Sequence, residues 1–417
     1  MIRLSKMQEK YLYITDSYSN TVTDSQVVNK IQLLDDQKIH FDLIIVSPLY
    51  YLIRNYKENK KNISYAQNNI EGNVFQVPIL KSNDPTGFSS FIKFCFLLFF
   101  LFSQRRKKIT IQTRSIRDFK ALQLIKVFFN QIRIIFDFRG VVSEEYINSL
   151  GYTHINEVKK NSVIKKYNRL LLTQSKMYNL SDKIFCVSNM MKEYVTKYSQ
   201  NAKEIIVIPG AADSNQFYFD KELRYKIRKD NDISPNDKVI VYCGRLDSFY
   251  CVKEDVFLII GEILKLDCHF KFLCLTPDLK SANLLIKKNN LNINQVILKH
   301  IPYDDVNSYL NASDYALLIR QNIQTNFVSS PTKVAEYLLC GLPIIISKKV
   351  GDFSKYISDN NFGIVIDSDI TKFIELFRSK IKFLDKINRK ELSLKSALNY
   401  SKQAYSEKLT KFYKNYN

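Results

Sequence analysis

Glycine is scarce in this chain, with 10 residues in 417 against a usual share of about 7%. Each surviving glycine therefore says more than usual about where the backbone turns or is closely approached. Tryptophan is absent while Lys, Asn, Ile and Tyr abound. That profile is the mark of a coding bias, so lysine alone is a weak functional signal. The seven cysteines (Cys95, Cys186, Cys243, Cys251, Cys268, Cys274 and Cys340) lie mostly in apolar runs and form no CxxC pair. This argues against a zinc ribbon or a disulfide framework and fits reduced thiols in a cytoplasmic protein. The four histidines (His40, His154, His269 and His300) show no HExxH or other ligand spacing, so no metal centre is expected. No helix-turn-helix, zinc-finger or RRM pattern appears, and nucleic acid is not an expected partner. Met1 to Lys10 is polar, which reads as no signal peptide.

Long apolar runs are also lacking. The strongest segment is Phe88–Phe102, and its uninterrupted part, Phe94–Phe102, falls far short of the roughly 18–20 residues that span a bilayer. A basic cluster, Gln104 to Lys108, follows at once. Aromatics beside a basic run suit a helix lying on an anionic inner leaflet. A buried helix of the first domain, with the basic run as its solvated end, reads equally well.

What is present is a long chain with a strong charge imbalance. At 417 residues with 46% hydrophobic content, it has material for two cores. Its formal charge of +21 points to anionic partners: a nucleotide, nucleic acid or an anionic membrane surface.

Short apolar runs alternate with helical patterns throughout. Strands are expected at Lys10–Thr15, Asp42–Ser47, Asn73–Leu80, Ile109–Thr113, Arg133–Phe138, Asp182–Ser188 and Glu204–Pro209. A second series is expected at Val239–Cys243, Phe270–Thr276, Val296–Lys299, Tyr315–Ile319, Leu342–Ile346 and Gly363–Ile366. This alternation implies an α/β fold of two mostly parallel, doubly wound sheets. Asp213 to Asn236 is polar and reads as the junction. The expected domains are residues 1–215 and 216–395, with a helix at 396–417 returning to the first domain.

The segment from Ser329 to Ser347 organises the second half. Ser329 or Ser330 is the expected N-cap, Pro331 suits the first helical position, and Gly341 the stop. Free N–H groups at such a start favour an anion, and Thr332 and Lys333 add a hydroxyl and a cation. Glu336 lies one turn on, at i+4 and i+3 from them. Its charge repels phosphate but suits sugar hydroxyls. An ordinary capped helix with a surface Glu has the same features. Gly140, Gly210, Gly244, Gly341, Gly351 and Gly363 all fall at or near element ends, where doubly wound domains form their ligand crevice.

Taken in order, DFRG at Asp137–Gly140 with Glu144 and Glu145, Ser188, PGAAD at Pro209–Asp213, GRL at Gly244–Leu246, SPTKVAEYLLCGLPII and Gly351-Asp352 resemble the family 4 glycosyltransferases. These have the GT-B fold, two Rossmann-like domains facing a cleft. The closest likeness is to bacterial enzymes that build surface polysaccharides. The resemblance implies sugar transfer from a nucleotide-sugar donor to a glycan acceptor, lipid-linked at a membrane, with retention and without metal or other cofactor. It places the protein in the cytoplasm, on the inner face of the cell membrane. Arg245 would meet the donor diphosphate, its planar fork suiting phosphate. The family often has a Lys five residues later; here that position is Tyr250, and Lys253 is the nearest Lys. Glu336 matches the second Glu of a Glu-x7-Glu pattern, which binds ribose. Val328 stands where the first would fall, so that Glu's usual contact with the transferred sugar is missing. Arg320, Ser330, Thr332, Lys333 and the Gly244 turn complete the implied donor set.

On the acceptor side, the stretch Thr15–Ser25 lacks the family's Gly-rich turn. Asp137, Arg139 and Glu144 or Glu145 resemble a cleft-facing loop, with Asp137 or Glu144 orienting an acceptor hydroxyl. A structural Asp–Arg pair fits as well. Arg114 is a further acceptor candidate. The implied catalytic residues are Asp137, Arg245 and Glu336. Two other readings stay open: a catalytically degenerate nucleotide-binding protein, motivated by Val328 and the missing Gly-rich turn, and a nucleotide-sugar epimerase of the same fold.

Overall fold

A strand covered on both faces by helices is apolar along its whole length, and that property builds both sheets. The computed structural model describes residues 9–16, 27–80, 87–150, 157–199, 204–248, 250–367 and 370–416, without the side chains of 157–159 and 370–371. The chain divides into two units. One is Met1–Cys186 with Lys192–Ile208 and Ser406–Asn417; the other is Val187–Met191 with Pro209–Tyr405.

The first unit holds strands β1 (Glu9–Asp16), β2 (Phe41–Pro48), β3 (Val74–Ile79), β4 (Lys108–Thr113), β5 (Arg133–Asp137), β6 (Lys183–Cys186) and β7 (Glu204–Val207). They form one sheet in the order β3-β2-β1-β4-β5-β6-β7, parallel throughout. Its helices are α1 (Asn29–Asp35), α2 (Leu49–Arg54), α3 (Tyr56–Asn69), α4 (Phe88–Ser103), α5 (Phe119–Phe128), α6 (Val142–Ser149) and α7 (Glu157–Leu180); α8 (Asn189–Tyr198) begins in the second unit and ends in the first. Strand order reverses between β1 and β4, which puts the switch point at the ends of those strands.

The second unit holds β8 (Lys238–Cys243), β9 (Phe270–Leu275), β10 (Val296–Lys299), β11 (Tyr315–Leu318), β12 (Ile344–Ser347) and β13 (Gly363–Ile366). Their order is β10-β9-β8-β11-β12-β13, again parallel. The helices are α9 (Lys221–Asp230), α10 (Lys253–Leu264), α11 (Leu279–Lys288), α12 (Val306–Ala312), α13 (Gln324–Phe327), α14 (Thr332–Leu339), α15 (Phe353–Asp359), α16 (Ile370–Leu384), α17 (Arg389–Tyr400) and α18 (Lys402–Asn415). Along β8, Val239, Val241 and Cys243 pack into one core and Ile240 and Tyr242 into another. This is the two-residue alternation of a strand between two helix layers. Most of α18, from Ser406 onward, belongs to the first unit. There the buried Tyr413 meets Tyr11 and Phe41 edge-on and donates to Gln112 Oε1.

All thirteen expected strands are present and the fold class stands. Five helical segments carry no expectation: 49–69, 142–149, 221–230, 324–327 and 353–359. The polar stretch read as a junction contains α9. Asp220 caps it, accepting from Glu222 N (2.7 Å) and Leu223 N (3.0 Å). Arg224 and Arg228 tie it to the carbonyls that end α12. Its polarity reflects a job done by guanidinium groups instead of apolar packing. Most of the Thr15–Ser25 stretch lies outside the described residues.

Candidate functional site

The second unit gathers most of the expected donor residues around two features, the turn after β8 and the start of α14. Gly244 follows Cys243 with φ +153°, a conformation side-chain-bearing residues rarely adopt. Two side chains hold the turn with three hydrogen bonds. Asp278 Oδ2 accepts from Leu246 N (2.8 Å) and Asp247 N (3.1 Å). The Tyr242 hydroxyl donates to Arg245 O (2.8 Å). On this fixed backbone the Arg245 side chain is 74% exposed, with Nε 3.8 Å from Asp278 Oδ1. Arg245 is thus an exposed cation on a hydrogen-bonded turn. Lys253, in contrast, is engaged: its Nζ donates to Asp247 Oδ1 and Ser281 Oγ. That hydrogen bond holds the Asp247 carboxyl below its ordinary range and the Lys253 ammonium above its own.

The helix start differs from expectation in its cap. Pro331 occupies the N-cap position and Thr332 begins the helix. Neither serine caps it. Ser330 Oγ accepts from Gly210 N (2.8 Å), and Ser329 Oγ donates to Asn326 O (2.9 Å). The serines pin the approach to the helix and leave its first turn without a side-chain cap. Gly351 closes the same loop: a Cβ there would lie 1.8 Å from Ser329 O. Thr332 is exposed. Glu336 is not on the surface. It is 3% exposed and accepts from Lys333 Nζ at 2.8 Å. Burial works against the Lys333 ammonium, but the Glu336 carboxylate more than offsets it, and the pKa of Lys333 is raised. Val328, in place of the family's first Glu, is buried; its carbonyl accepts from Ser188 Oγ (2.7 Å).

The sequence does not single out Tyr337. Its buried hydroxyl accepts from Cys243 N at 3.0 Å, tying α14 to the strand end that launches Gly244. Helical spacing marked its neighbours as core, and nothing in the sequence marks a phenol aimed at a strand end. Asp352 meets the start of α8, accepting from Asn189 N (2.7 Å) and Asn189 Nδ2 (3.0 Å). Arg320 stands apart from this set. Its guanidinium rests on the Tyr250 ring (5.4 Å) and lines a separate cavity.

In the first unit, Asp137 is 1% exposed and saturated. Oδ2 accepts from Tyr13 Oη (2.8 Å), Lys30 Nζ (2.8 Å) and Gln112 Nε2 (3.0 Å), and Oδ1 from Arg139 Nε (2.8 Å). Burial opposes its charge, yet Arg139, Lys30 and Arg114 prevail and hold the carboxyl far below its usual range. Glu144 Oε1 accepts from Tyr167 Oη (2.6 Å), while Glu145 Oε1 lies over Gly140, 2.2 Å from where a Cβ would stand. At the β1–β4 switch point a second cluster appears. The Asp16 carboxylate accepts from Ser115 Oγ (2.6 Å) and Arg117 Nη1 (3.0 Å). Beside it, buried Lys93 donates to buried Asp118.

Among the described residues, one group of side chains, Asp267, Cys268 and His269, is close enough together to share a metal ion. It is an exposed turn leading into β9, at the opposite end of the sheet from Gly244.

Residues 224–391 match the family Glycosyl transferases group 1. No curated protein matches the chain. Among solved structures, sucrose-phosphate synthase from Thermosynechococcus elongatus superposes with TM-score 0.68 at 11% identity, covering 97% of this chain and 98% of that one. Anabaena HepE in complex with UDP and glucose gives 0.66 at 11% identity, covering 98% and 100%. A glycosyltransferase from Rickettsia africae gives 0.63 at 16% identity, covering 98% of each chain. The chain therefore has the GT-B fold from end to end, and its residues 224–391 match the Glycosyl transferases group 1 family.

Proposed function

We propose that this protein is a glycosyltransferase that moves a sugar from a nucleotide-sugar donor to a glycan acceptor. The observation that carries the reading is the Lys333–Glu336 pair at the start of a helix without a side-chain cap, in the same domain as the rigid Gly244–Arg245 turn. Leaving-group charge is the hard part of sugar transfer, and preorganised donors and cations are the strongest way to stabilise it. In this reading Arg245, the first N–H groups of α14 and Lys333 face the diphosphate. Glu336 accepts from ribose hydroxyls, its charge held by Lys333. Protein cations do this work without a metal, and transfer proceeds with retention. Asp137 takes no part, because both of its oxygens are occupied. The Anabaena structure holds UDP, which makes a UDP-sugar the first donor to try.

A thermal-shift screen against UDP-, GDP-, ADP-, dTDP- and CMP-sugars with EDTA present tests the donor site, since a ligand bound only by the folded state raises its stability. One nucleotide should raise the melting temperature, and Glu336→Gln should remove the rise. Arg245→Ala and Glu336→Gln should each lose most turnover while folded; full activity in both ends the assignment. The buried Val328 favours one other reading, a nucleotide-binding protein without transfer. Stabilisation by a nucleotide with no turnover on any acceptor would select it.

The acceptor in this proposal is lipid-linked and lies at an anionic bilayer on the inner face of the cell membrane. The only charged residue of α4, Lys93, is turned inward onto Asp118. The outward face is left apolar, with Phe91, Phe99 and Phe102 exposed beside Val127 and Phe128 of α5. Arg105, Arg106 and Lys107 follow at the helix end. No described helix is long and apolar enough to cross a membrane.

A further inference from the structure

A cavity of about 470 Å³ opens at the C-terminal ends of β11, β12 and β13, against α10, inside the size range of small-molecule sites, about 300–1,000 Å³. Its charges are not balanced within the protein. Arg320 lines it and, among the described residues, has no carboxylate partner; its contact is the Tyr250 ring. Asp255 lines it as well and has no cationic partner among the described residues. Burial, with Glu254 beside it, raises the Asp255 pKa, and burial lowers that of Arg320. Lys349 lines the cavity with its ammonium over the Phe327 ring (4.9 Å) and, among the described residues, no carboxylate partner. Lys348 is paired with Asp367 (2.6 Å) and cancels. Partly desolvated charges left without partners are unfavourable unless something else compensates them.

The site is also built. The backbone of Arg320 is bridged to Cys251, and its N–H donates to Ser347 Oγ (2.8 Å). Gln321 N donates to Tyr250 O (3.1 Å), and Asn326 Nδ2 donates to both Tyr250 O (3.2 Å) and Gln321 O (2.8 Å). The guanidinium is therefore presented by a fixed frame. Two unpaired cations against one unpaired carboxylate call for a ligand of roughly two negative charges that also carries a hydrogen-bond donor. A phosphomonoester has about −1.5 to −2 charges near neutral pH, and a sugar hydroxyl supplies the donor. A zwitterion such as an amino acid leaves one cation unanswered.

We infer that this cavity binds a small sugar phosphate or polyol phosphate, its phosphate between Arg320 and Lys349 and a hydroxyl donating to Asp255. The site stands independently of the donor reading above. The test is isothermal titration of the full chain with glucose 1-phosphate, glucose 6-phosphate and glycerol 3-phosphate, with glucose and inorganic phosphate alongside. At least one phosphate ester should bind saturably and glucose should not. Lys349→Gln and Asp255→Asn should each weaken that binding about tenfold, the worth of a charge-assisted hydrogen bond, with unchanged melting profiles. Arg320→Gln should remove it; Lys349→Gln, at an exposed position, keeps the test valid if that variant misfolds. No saturable heat from any ester overturns the proposal. So does displacement of the ester by UDP, which would put it in the donor site. Inorganic phosphate binding as tightly as the esters, with Asp255→Asn silent, overturns the sugar-phosphate assignment.

Discussion

Asp137 shows how far one residue's surroundings decide its role. A carboxylate at a strand end reads as an acceptor-facing group. Four donors converge on it instead, from Tyr13, Lys30, Gln112 and Arg139. Its pKa is lower folded than unfolded, so the stability it contributes is fully present above the unfolded value of about 3.9. That stability is lost as pH falls below this value toward the folded pKa. Asp137→Asn should therefore destabilise the protein by about 3–5 kcal/mol at pH 7, the scale for breaking a buried pair. The gap from wild type in urea unfolding should narrow below about pH 4. A constant gap down to pH 3 would show that Asp137 does not hold its charge this way. Lys333 and Glu336 are the matching pair in the donor half; the Lys333 ammonium also lies over the Tyr303 ring at 5.7 Å, while Lys333 is the hydrogen-bond partner of the Glu336 carboxylate, which leaves that carboxylate capacity for a ligand.

At the scale of elements, α14 and β8 act as one device through Tyr337. Its phenol accepts from Cys243 N, so the helix that carries Lys333 and Glu336 is fixed against the strand that launches Gly244. Tyr337→Phe leaves that buried N–H unpaired, at about 1–3 kcal/mol. In the donor reading it should also raise KM for the nucleotide sugar more than it lowers kcat. An unchanged KM would mean that the link is structural alone. The pairing of α4 and α5 sets a different outcome. Phe94 and Phe128 meet at 5.7 Å, and their neighbours Phe99 (81% exposed) and Val127 (74% exposed) share the uncharged face. Phe99→Glu with Val127→Glu should abolish co-sedimentation with vesicles containing anionic lipid and leave the melting temperature unchanged. Retained pelleting would remove the bilayer from the proposal. Phe96 is unsuited to this test, because it is half-buried and meets the Phe75 ring edge-on.

For the whole molecule, the formal charge of +21 makes every encounter with an anion sensitive to ionic strength. The Debye length shrinks from about 30 Å at 0.01 M salt to about 3 Å at 1 M. Vesicle binding should weaken steeply with salt, and the residual binding at high salt should depend on Phe99 and Val127. Binding that ignores salt would mean that the basic residues play no part in docking. Steep binding to plain duplex DNA near physiological salt would revive nucleic acid as a partner.

The sequence alone determined the strands and the fold class, because a parallel-sheet strand is buried on both faces and so appears as an unbroken apolar run. Central strands such as β2 and β8 are legible for that reason, the edge strands β7 and β10 only from short apolar runs without burial on both faces, and the ordered motifs at the strand ends point to GT-B. It did not reveal α9 or α3, whose surfaces are polar, nor the cap of α14, because Ser330 is used by Gly210 from far along the chain. Only the tertiary structure decided which charges are spent. Lys30 reaches Asp137 across 107 residues and pairs with it. Lys93 turns inward and leaves a face of phenylalanine. Arg320 and Asp255 line one cavity without pairing. Charge compensation depends on a few ångströms between groups distant in sequence, and that is a property of the folded chain.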